Sequence, residues 1–386
     1  MRKICVITAT RAEYGLLYPV IKAINESSEL TLQLVVSGTH LIPEFGMTKK
    51  EILNDGFVID KEIEILLASD NSSSISKSMG LAIISFADYI KDDKPDLGII
   101  LGDRYEMLAF ASVLLNEHIP IAHINGGEVT EGALDECYRH CLTKMSTLHF
   151  ANCEIHKKRI IQMGEDPHYV YNVGDTCIDN ILNEKLLTFS ELNQDLPFLQ
   201  KEKPIVIVTY HPVTTEKNSL EQFEEILKVI EKRNEYQYIF TKANSDEGGR
   251  AINSRMKKFA VNKKNIHVVE SLGMRRFLSV LKLSRMMLGN SSSGLYEAPV
   301  FKIPTINIGN RQKGRYMGET VINCQAEEKE ILKAIDLAES EEFREKIKSS
   351  NSPFGNGTAA KQIVEKITRF LMEDTWNGRK KFWDLK

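Results

Sequence analysis

The run DLGIILGDRYEMLAFASVLLNEHIPIAHINGG, residues 96–127, decides the fold. DLGIILG (96–102) is a short apolar run bounded by polar residues and reads as a strand buried on both faces. Tyr105 to Asn116 reads as a helix, and IPIAHI (119–124) as a second buried strand. Strand, helix and strand in strict turn imply a right-handed crossover and a mostly parallel sheet.

The same rhythm extends outward. Upstream lie a strand KICVIT (3–8), a helix from about Glu13 to Asn25, and a strand LQLVVSG (32–38). Downstream come a helix from about Leu134 to Met145, LHFANC (148–153), a helix from about Glu154 to Met163, and VYNVG (170–174). Residues 183–204 are polar, carry two prolines and read as a link between lobes. The alternation then resumes with PIVIVTYH (204–211) and a helix at 218–233, whose Leu220, Phe223, Ile226, Leu227 and Ile230 recur at helical spacing. QYIFTKAN (237–244), NIHVVE (265–270), a helix at 274–283, RMMLGN (285–290) and PTINIGN (304–310) follow. The expected architecture is α/β, with two Rossmann-like lobes at 1–183 and 204–358 facing a central cleft. A last helix, from about Ala359 to Glu373, lies in a segment 359–386 expected to pack back across the lobes.

Composition narrows the function. The chain has 386 residues, 42% of them hydrophobic, enough for a sizeable core. Its 50 Lys+Arg nearly balance 53 Asp+Glu, so no broad cationic field exists for nucleic acid. No apolar run approaches the roughly 18–20 residues that span a bilayer. The apolar stretch before Arg11 is too short for a signal sequence, so a cytoplasmic location is expected. The six cysteines form no CxxC pair; Cys137 and Cys141 stand near His140, but the further ligands of a zinc site are missing. They read as reduced thiols.

Residues with chemical potential follow the strands, where ligand-facing loops of a parallel sheet lie. TATRAEYG (8–15) places Arg11 at a helix start, suited to an anion. GNSSSG (289–294) joins two glycines to Ser291, Ser292 and Ser293, again before a helix; the plainer reading is a helix cap. Without the lysine of a P-loop, and with Glu297 placed to accept from ribose hydroxyls, a diphosphate attached to a sugar or nucleoside is favoured over ATP. RQKGR (311–315) supplies Arg311 and Arg315 to neutralise such a group, although a solvated loop would look the same. LGDRYE (101–106) offers Asp103 and Arg104, and HINGGEVTEGALDECYRH (123–140) offers His123, Glu128, Glu131, Asp135, Glu136, Arg139 and His140. Converging carboxylates suit proton transfer, since burial and repulsion raise some of their pKa values; two could also hold a divalent metal. Asp135 and Glu136 also fit a helix N-terminus, with Arg139 and His140 as their ion-pair partners. His211 closes the first strand of the second lobe.

Taken in order, TRAEYG, SGTH with EFG (37–46), GDRYE, HINGGE, DExxRH, a strand-end His-Pro, GNSSSG, RQKGR and NGTAA (356–360) resemble the hydrolysing UDP-N-acetylglucosamine 2-epimerases of sialic and legionaminic acid biosynthesis. The resemblance implies a GT-B-like fold, release of UDP, and a free 2-epimer, N-acetylmannosamine in the simplest case. It implies no redox cofactor and no catalytic metal, with UDP-sugar and UDP as the partners, no nucleic acid or membrane, and a homodimer or homotetramer. UDP-N,N′-diacetylbacillosamine is an alternative substrate; a non-hydrolysing 2-epimerase or a GT-B glycosyltransferase is an alternative activity. Arg11, Arg104, His211, Ser291, Ser292, Glu297 and Arg311 or Arg315 match nucleotide and diphosphate contacts. Tyr14, His40, His123 and Ser293, within the same motifs, and Asn244, at the end of QYIFTKAN, complete the expected substrate contacts. Asp103, Asp135 and Glu136 match carboxylates implicated in the chemistry, and His211 is expected to stabilise the leaving phosphate. Many relatives have HIEGGE where this chain has Asn125, and its loop to Asp135 is one residue longer, so Glu128 or Glu131 is expected to take over a role. The base at C2 stays open among Asp103, Glu128 and Glu136.

Overall fold

A computed structural model describes residues 1–67, 71–130, 134–213, 218–243, 248–373 and 378–385. The chain divides into two compact units, Met1–Asn180 with Phe354–Lys386, and Ile181–Pro353.

The first unit holds β1 (Arg2–Thr8), β2 (Leu30–Ser37), β3 (Lys61–Ile63), β4 (Leu97–Leu101), β5 (Ile121–Ile124), β6 (Leu148–Ala151) and β7 (Val170–Asn172). Between them run α1 (Arg11–Asn25), α2 (Lys49–Asn54), α3 (Ser72–Asp92), α4 (Tyr105–Asn116), α5 (Asp135–Met145) and α6 (Glu154–Gln162); α7 (Thr176–Asn183) follows β7. The strands form one sheet in the order β3-β2-β1-β4-β5-β6-β7, all parallel. Helices cover both faces, which is why LGIIL of β4 is buried at every residue. On one face Leu17, Val20, Ile21 and Ile24 of α1 are fully buried, and on the other Phe86 of α3 meets Phe110 of α4 edge to face at 5.1 Å. Strand order reverses between β1 and β4, so the loops leaving these neighbours open side by side at the carboxyl edge. Arg11 opens the helix that follows β1, and Asp103 lies in the loop after β4.

The second unit opens with α8 (Phe189–Asp195) and continues through β8 (Ile205–Thr209), α9 (Ser219–Lys232), β9 (Gln237–Thr241), α10 (Gly249–Ala260), β10 (Ile266–Val269), α11 (Gly273–Leu283), β11 (Ser284–Gly289), α12 (Ser293–Val300), β12 (Thr305–Ile308), β13 (Val321–Cys324), α13 (Glu328–Glu339) and α14 (Glu341–Ser349). Its sheet has the order β10-β9-β8-β11-β12-β13, again parallel. Side chains of β8 alternate: Val206 and Val208 face Phe223, Ile226 and Ile230 of α9, while Ile205 and Ile207 face Val280 and Leu281 of α11. The reversal here lies between β8 and β11, whose loops carry His211 and Ser291–Ser293. The link expected at 183–204 is partly ordered, because Thr188 and Glu191 form a reciprocal capping box that starts α8.

The final helix, α15 (Ala359–Met372), belongs to the first unit and packs on α1. Asp179 accepts hydrogen bonds from the Ala359 and Ala360 amides at 3.1 and 2.9 Å, satisfying donors that the first helical turn leaves open. Among the described residues no helix is long and apolar enough to cross a membrane, and all six cysteines are free thiols.

Candidate active site

At the carboxyl edge of the first sheet, Asp103 follows β4, and Glu136, Arg139 and His140 share one side of α5 at helical spacing. Arg139 is the hub. Its side chain is 4% exposed and donates to Asp103, to Glu136 at 3.2 Å and to the Thr130 hydroxyl at 2.9 Å. Glu136 also accepts the Thr130 amide at 2.6 Å and lies 3.1 Å from His140 Nε2. The two carboxyls that share this guanidinium are driven apart. Burial, reinforced by the nearby Asp135 charge, lifts the Asp103 pKa above the ordinary value despite Arg139. Glu136 is also partly desolvated, but the Thr130 amide, His140 and Arg139 outweigh that and hold its pKa low. One group is thus suited to exchanging a proton and the other to staying ionised.

Beside this cluster Arg104, at the start of α4, forms a two-pronged pair with Glu106 at 2.7 and 3.1 Å. Glu106 is fully buried, so it fixes the guanidinium. Glu13 of TRAEYG lies buried nearby and accepts from the Ala9 amide at 3.0 Å and the Thr10 hydroxyl at 3.3 Å. Burial and the Glu106 charge push its pKa up to about 7, against the pull of Arg104. Arg11 stands exposed at the head of α1, paired at 3.0 Å with Glu51.

Three residues expected as substrate contacts are internal supports in this structure. Tyr14 is buried and donates to Asp55 at 2.6 Å. His40 is buried between the Thr8 and Thr48 hydroxyls at 3.0 and 2.7 Å, and burial lowers its pKa to about 4. His123 is buried too; its Nε2 donates to the Gly102 carbonyl at 2.7 Å and its Nδ1 faces the Thr143 hydroxyl at 3.3 Å. Burial lowers its pKa to about 3, so the ring is neutral. His123 therefore props the residue next to Asp103. A strand alternates its side chains, and the sheet's depth at each position decides which histidine reaches the edge.

The HINGG turn explains Asn125. Its φ is 61°, in the left-handed region that asparagine tolerates better than glutamate. Its amide nitrogen reaches Asp175 at 3.4 Å, and Asp175 also accepts from Asn152 at 3.0 Å. At Gly127 (φ 74°) a Cβ would fall 2.5 Å from the His156 carbonyl, so the turn presses its backbone against α6. Glu128 follows the turn, half-buried. Asp135 opens α5 beside Glu136. Glu131 lies outside the described residues, as does Asn244 in the second unit. Among the described residues no group of His, Cys, Asp and Glu is arranged to hold a metal ion.

In the second unit the two switch-point loops are clipped together by a side chain that motif reading passed over. Asn290 accepts the His211 amide at 2.7 Å and donates to the His211 carbonyl at 2.8 Å. Its own carbonyl accepts Arg311 at 3.1 Å and Gln312 at 2.8 Å, which draws RQKGR to the serine loop. At Gly289 (φ 133°) a Cβ would meet the Thr209 carbonyl at 2.0 Å, so only glycine lets β11 pass. Ser292 occupies the N-cap of α12 with no side-chain capping bond. Ser293 and Glu297 lie on α12, half-buried. Arg315 is half-buried, with no ion-pair partner among the described residues. A helix N-terminus, hydroxyls and guanidinium groups are the kinds of group that suit an anion. The signal for Asn290 and Gln312 was present as buried polar residues inside motifs, but their partners are remote in sequence.

Comparison with known proteins gives a consistent result. The profile described as UDP-N-acetylglucosamine 2-epimerase matches residues 22–368. The chain is 43% identical over 348 residues to a GDP/UDP-N,N′-diacetylbacillosamine 2-epimerase (hydrolyzing) of Campylobacter jejuni, covering 89% of each chain. It is 35% identical over 366 residues to the UDP-N,N′-diacetylbacillosamine 2-epimerase (hydrolyzing) of Legionella pneumophila, covering 95% of each. It is 35% identical over 387 residues to the polysialic acid biosynthesis protein P7 of Escherichia coli, covering 100% of this chain and 98% of that one. Its fold matches a crystal structure of the Neisseria meningitidis UDP-GlcNAc 2-epimerase bound to UDP-GlcNAc with a TM-score of 0.79 at 21% identity, covering 95% of this chain and 100% of that one.

Proposed function

We propose that this chain, which belongs to the UDP-N-acetylglucosamine 2-epimerase family, hydrolyses a UDP-2-acetamido sugar to UDP and the free 2-epimer. The observation that carries the reading is the convergence of Asp103 and Glu136 on the buried Arg139, at the sheet edge of a member of this family.

The chemistry follows from the substrate. The C2 proton of a 2-acetamido sugar has no carbonyl beside it on the ring, so a base alone does not remove it readily. Breaking the bond from C1 to the diphosphate oxygen builds positive character at C1 and acidifies that proton. The bonding pair leaves with UDP, a charge of the kind that the hydroxyls of Ser291–Ser293, Arg311, Arg315 and His211 are suited to stabilise. Asp103 takes the C2 proton, and the freed pair closes a C1–C2 double bond. Its raised pKa suits a general base, whereas Glu136 serves as the permanent anion that keeps Arg139 in place. Water then adds its hydroxyl to C1 while a proton returns to C2 on the other face. The sum is UDP-sugar plus water giving free sugar plus UDP.

For the sugar, relatives at 43% and 35% identity favour the 2,4-diacetamido substrate over UDP-GlcNAc. The second reading, UDP-GlcNAc, has support from the Neisseria meningitidis serogroup B UDP-N-acetylglucosamine 2-epimerase at 31% identity. Both nucleotide sugars are to be offered side by side in D2O and followed by NMR. The reading expects UDP release with one deuterium at C2 of an inverted product. Product without deuterium removes the elimination route, and turnover of UDP-GlcNAc alone reverses the choice of sugar.

A further inference from the structure

We propose that the C-terminal segment 378–385 is a strap that holds α5 in place, with Lys380 as a positioning residue for the Asp103 loop. The inference rests on the reading above that the cluster of Asp103, Glu136 and Arg139 handles the substrate proton.

The last carbonyls of a helix have no partner within it and carry the negative end of its dipole. In α5 they are capped from outside. Lys380 Nζ donates to the Lys144 and Ser146 carbonyls, each at 2.6 Å, and lies 3.3 Å from the Thr143 carbonyl. The same ammonium pairs with Glu165 at 2.6 Å. Glu165 is 2% exposed and also receives Lys144 at 2.6 Å and His149 at 2.9 Å. The strap is seated by its aromatic residues. The Trp383 amide donates to the Gly164 carbonyl at 3.0 Å, and Phe382 lies so close to Gly164 that a Cβ there would fall 2.3 Å from its ring. Lys144 sits 5.0 Å above the Phe382 ring.

Adhesion alone would need only those aromatic contacts. Lys380 does more, because the turn it caps leads by hydrogen bonds to the site. The Thr143 hydroxyl meets His123 Nδ1 at 3.3 Å, and His123 Nε2 holds the Gly102 carbonyl at 2.7 Å. Gly102 precedes Asp103. The single Thr143 hydroxyl proton is shared between His123 Nδ1 and the Arg139 carbonyl at 3.1 Å, one helical turn back, and the Arg139 guanidinium grips Asp103 and Glu136. The strap thus grips the one end of α5 from which both the hub arginine and the Asp103 loop are set.

The test uses the full chain with Lys380→Met and Lys380→Arg, read by hydrogen exchange and by steady-state kinetics. Lys380→Met is expected to speed amide exchange in the last turn of α5 and at residues 98–106, and to lower kcat about tenfold with KM within about twofold, as a sub-ångström misplacement does. Lys380→Arg, which keeps the charge and the donors, is expected to restore most of kcat. Unchanged exchange in α5, or faster exchange with unchanged kcat, overturns the proposal. If the unaltered chain turns over neither sugar nucleotide, the functional reading fails by itself; exchange at residues 98–106 then decides the strap, faster supporting it and unchanged refuting it. Should Lys380→Met not fold, Lys380→Gln, which retains one donor group, is read the same way.

Discussion

Replacing Arg139 with methionine is the sharpest probe of the site. The substitution keeps much of the side-chain volume and removes the guanidinium that Asp103, Glu136 and Thr130 share. Breaking a buried ion pair from one side costs roughly 3–5 kcal/mol, because the remaining charge is left without its partner. Here the two carboxylates are 26% and 25% exposed, so water recovers part of that cost and the lower end, about 3 kcal/mol, applies. For a domain of about 200 residues this lowers Tm by roughly 6–12 °C. The same change removes the main influence that holds the Asp103 pKa down, while burial and the Asp135 charge persist. Asp103 then loses its proton only at higher pH, so the acid limb of the kcat profile moves toward alkaline values. Differential scanning calorimetry and a pH–rate series from pH 5 to about 9 measure both effects. A variant that melts within about a degree of the parent and keeps its acid limb would refute the assignment of Arg139 as the hub.

Three further outcomes are expected. Asp103→Asn should lower kcat by about 10²–10⁴-fold while KM changes little, as stopped assays of UDP release would record; an effect confined to KM makes it a binding residue. Glu165 has its pKa lowered to about 2 by His149, Lys144 and Lys380 against the cost of burial, so the folded value lies below the unfolded one. Its stabilisation, about 3 kcal/mol, is present above the unfolded carboxylate pKa and is lost as pH falls from about 4.5 toward 2, so urea titrations of Glu165→Gln should show a flatter acid dependence than the parent. Asn290→Ala removes both bonds to the His211 backbone and should weaken UDP binding about thirtyfold by calorimetry, at about 1 kcal/mol per bond; unchanged affinity would place the anion site elsewhere.

Much of the fold was legible because a parallel sheet covered on both faces must be written as unbroken apolar runs. LGIIL and IVIVT are of that kind, and each proved a fully buried strand. Elements that depend on a neighbour were not legible. Lys61–Ile63 has three residues and exists by pairing with β2. Val321–Cys324 likewise takes its form from β12. The site divides in the same way. Asp103 and the serine loop announce themselves as polar groups directly after apolar strands. That Arg139 joins Asp103 across 36 positions, or Asn290 joins His211 across 79, is set by strand order and cannot be read locally.

Sequence alone determined two alternating α/β halves, the strand ends at which chemistry is placed, and the family. Those features are local: apolar period, glycine at tight turns, and residue types fixed by the groups they must bind. Tertiary structure decided which titratable groups are buried and beside whom. His40 and His123 became neutral props, Asp103 and Glu136 acquired opposite shifts, and a lysine near the chain's end was brought to cap α5. A side chain's charge state depends on the solvent and partners around it, and those are assembled only when distant segments pack together.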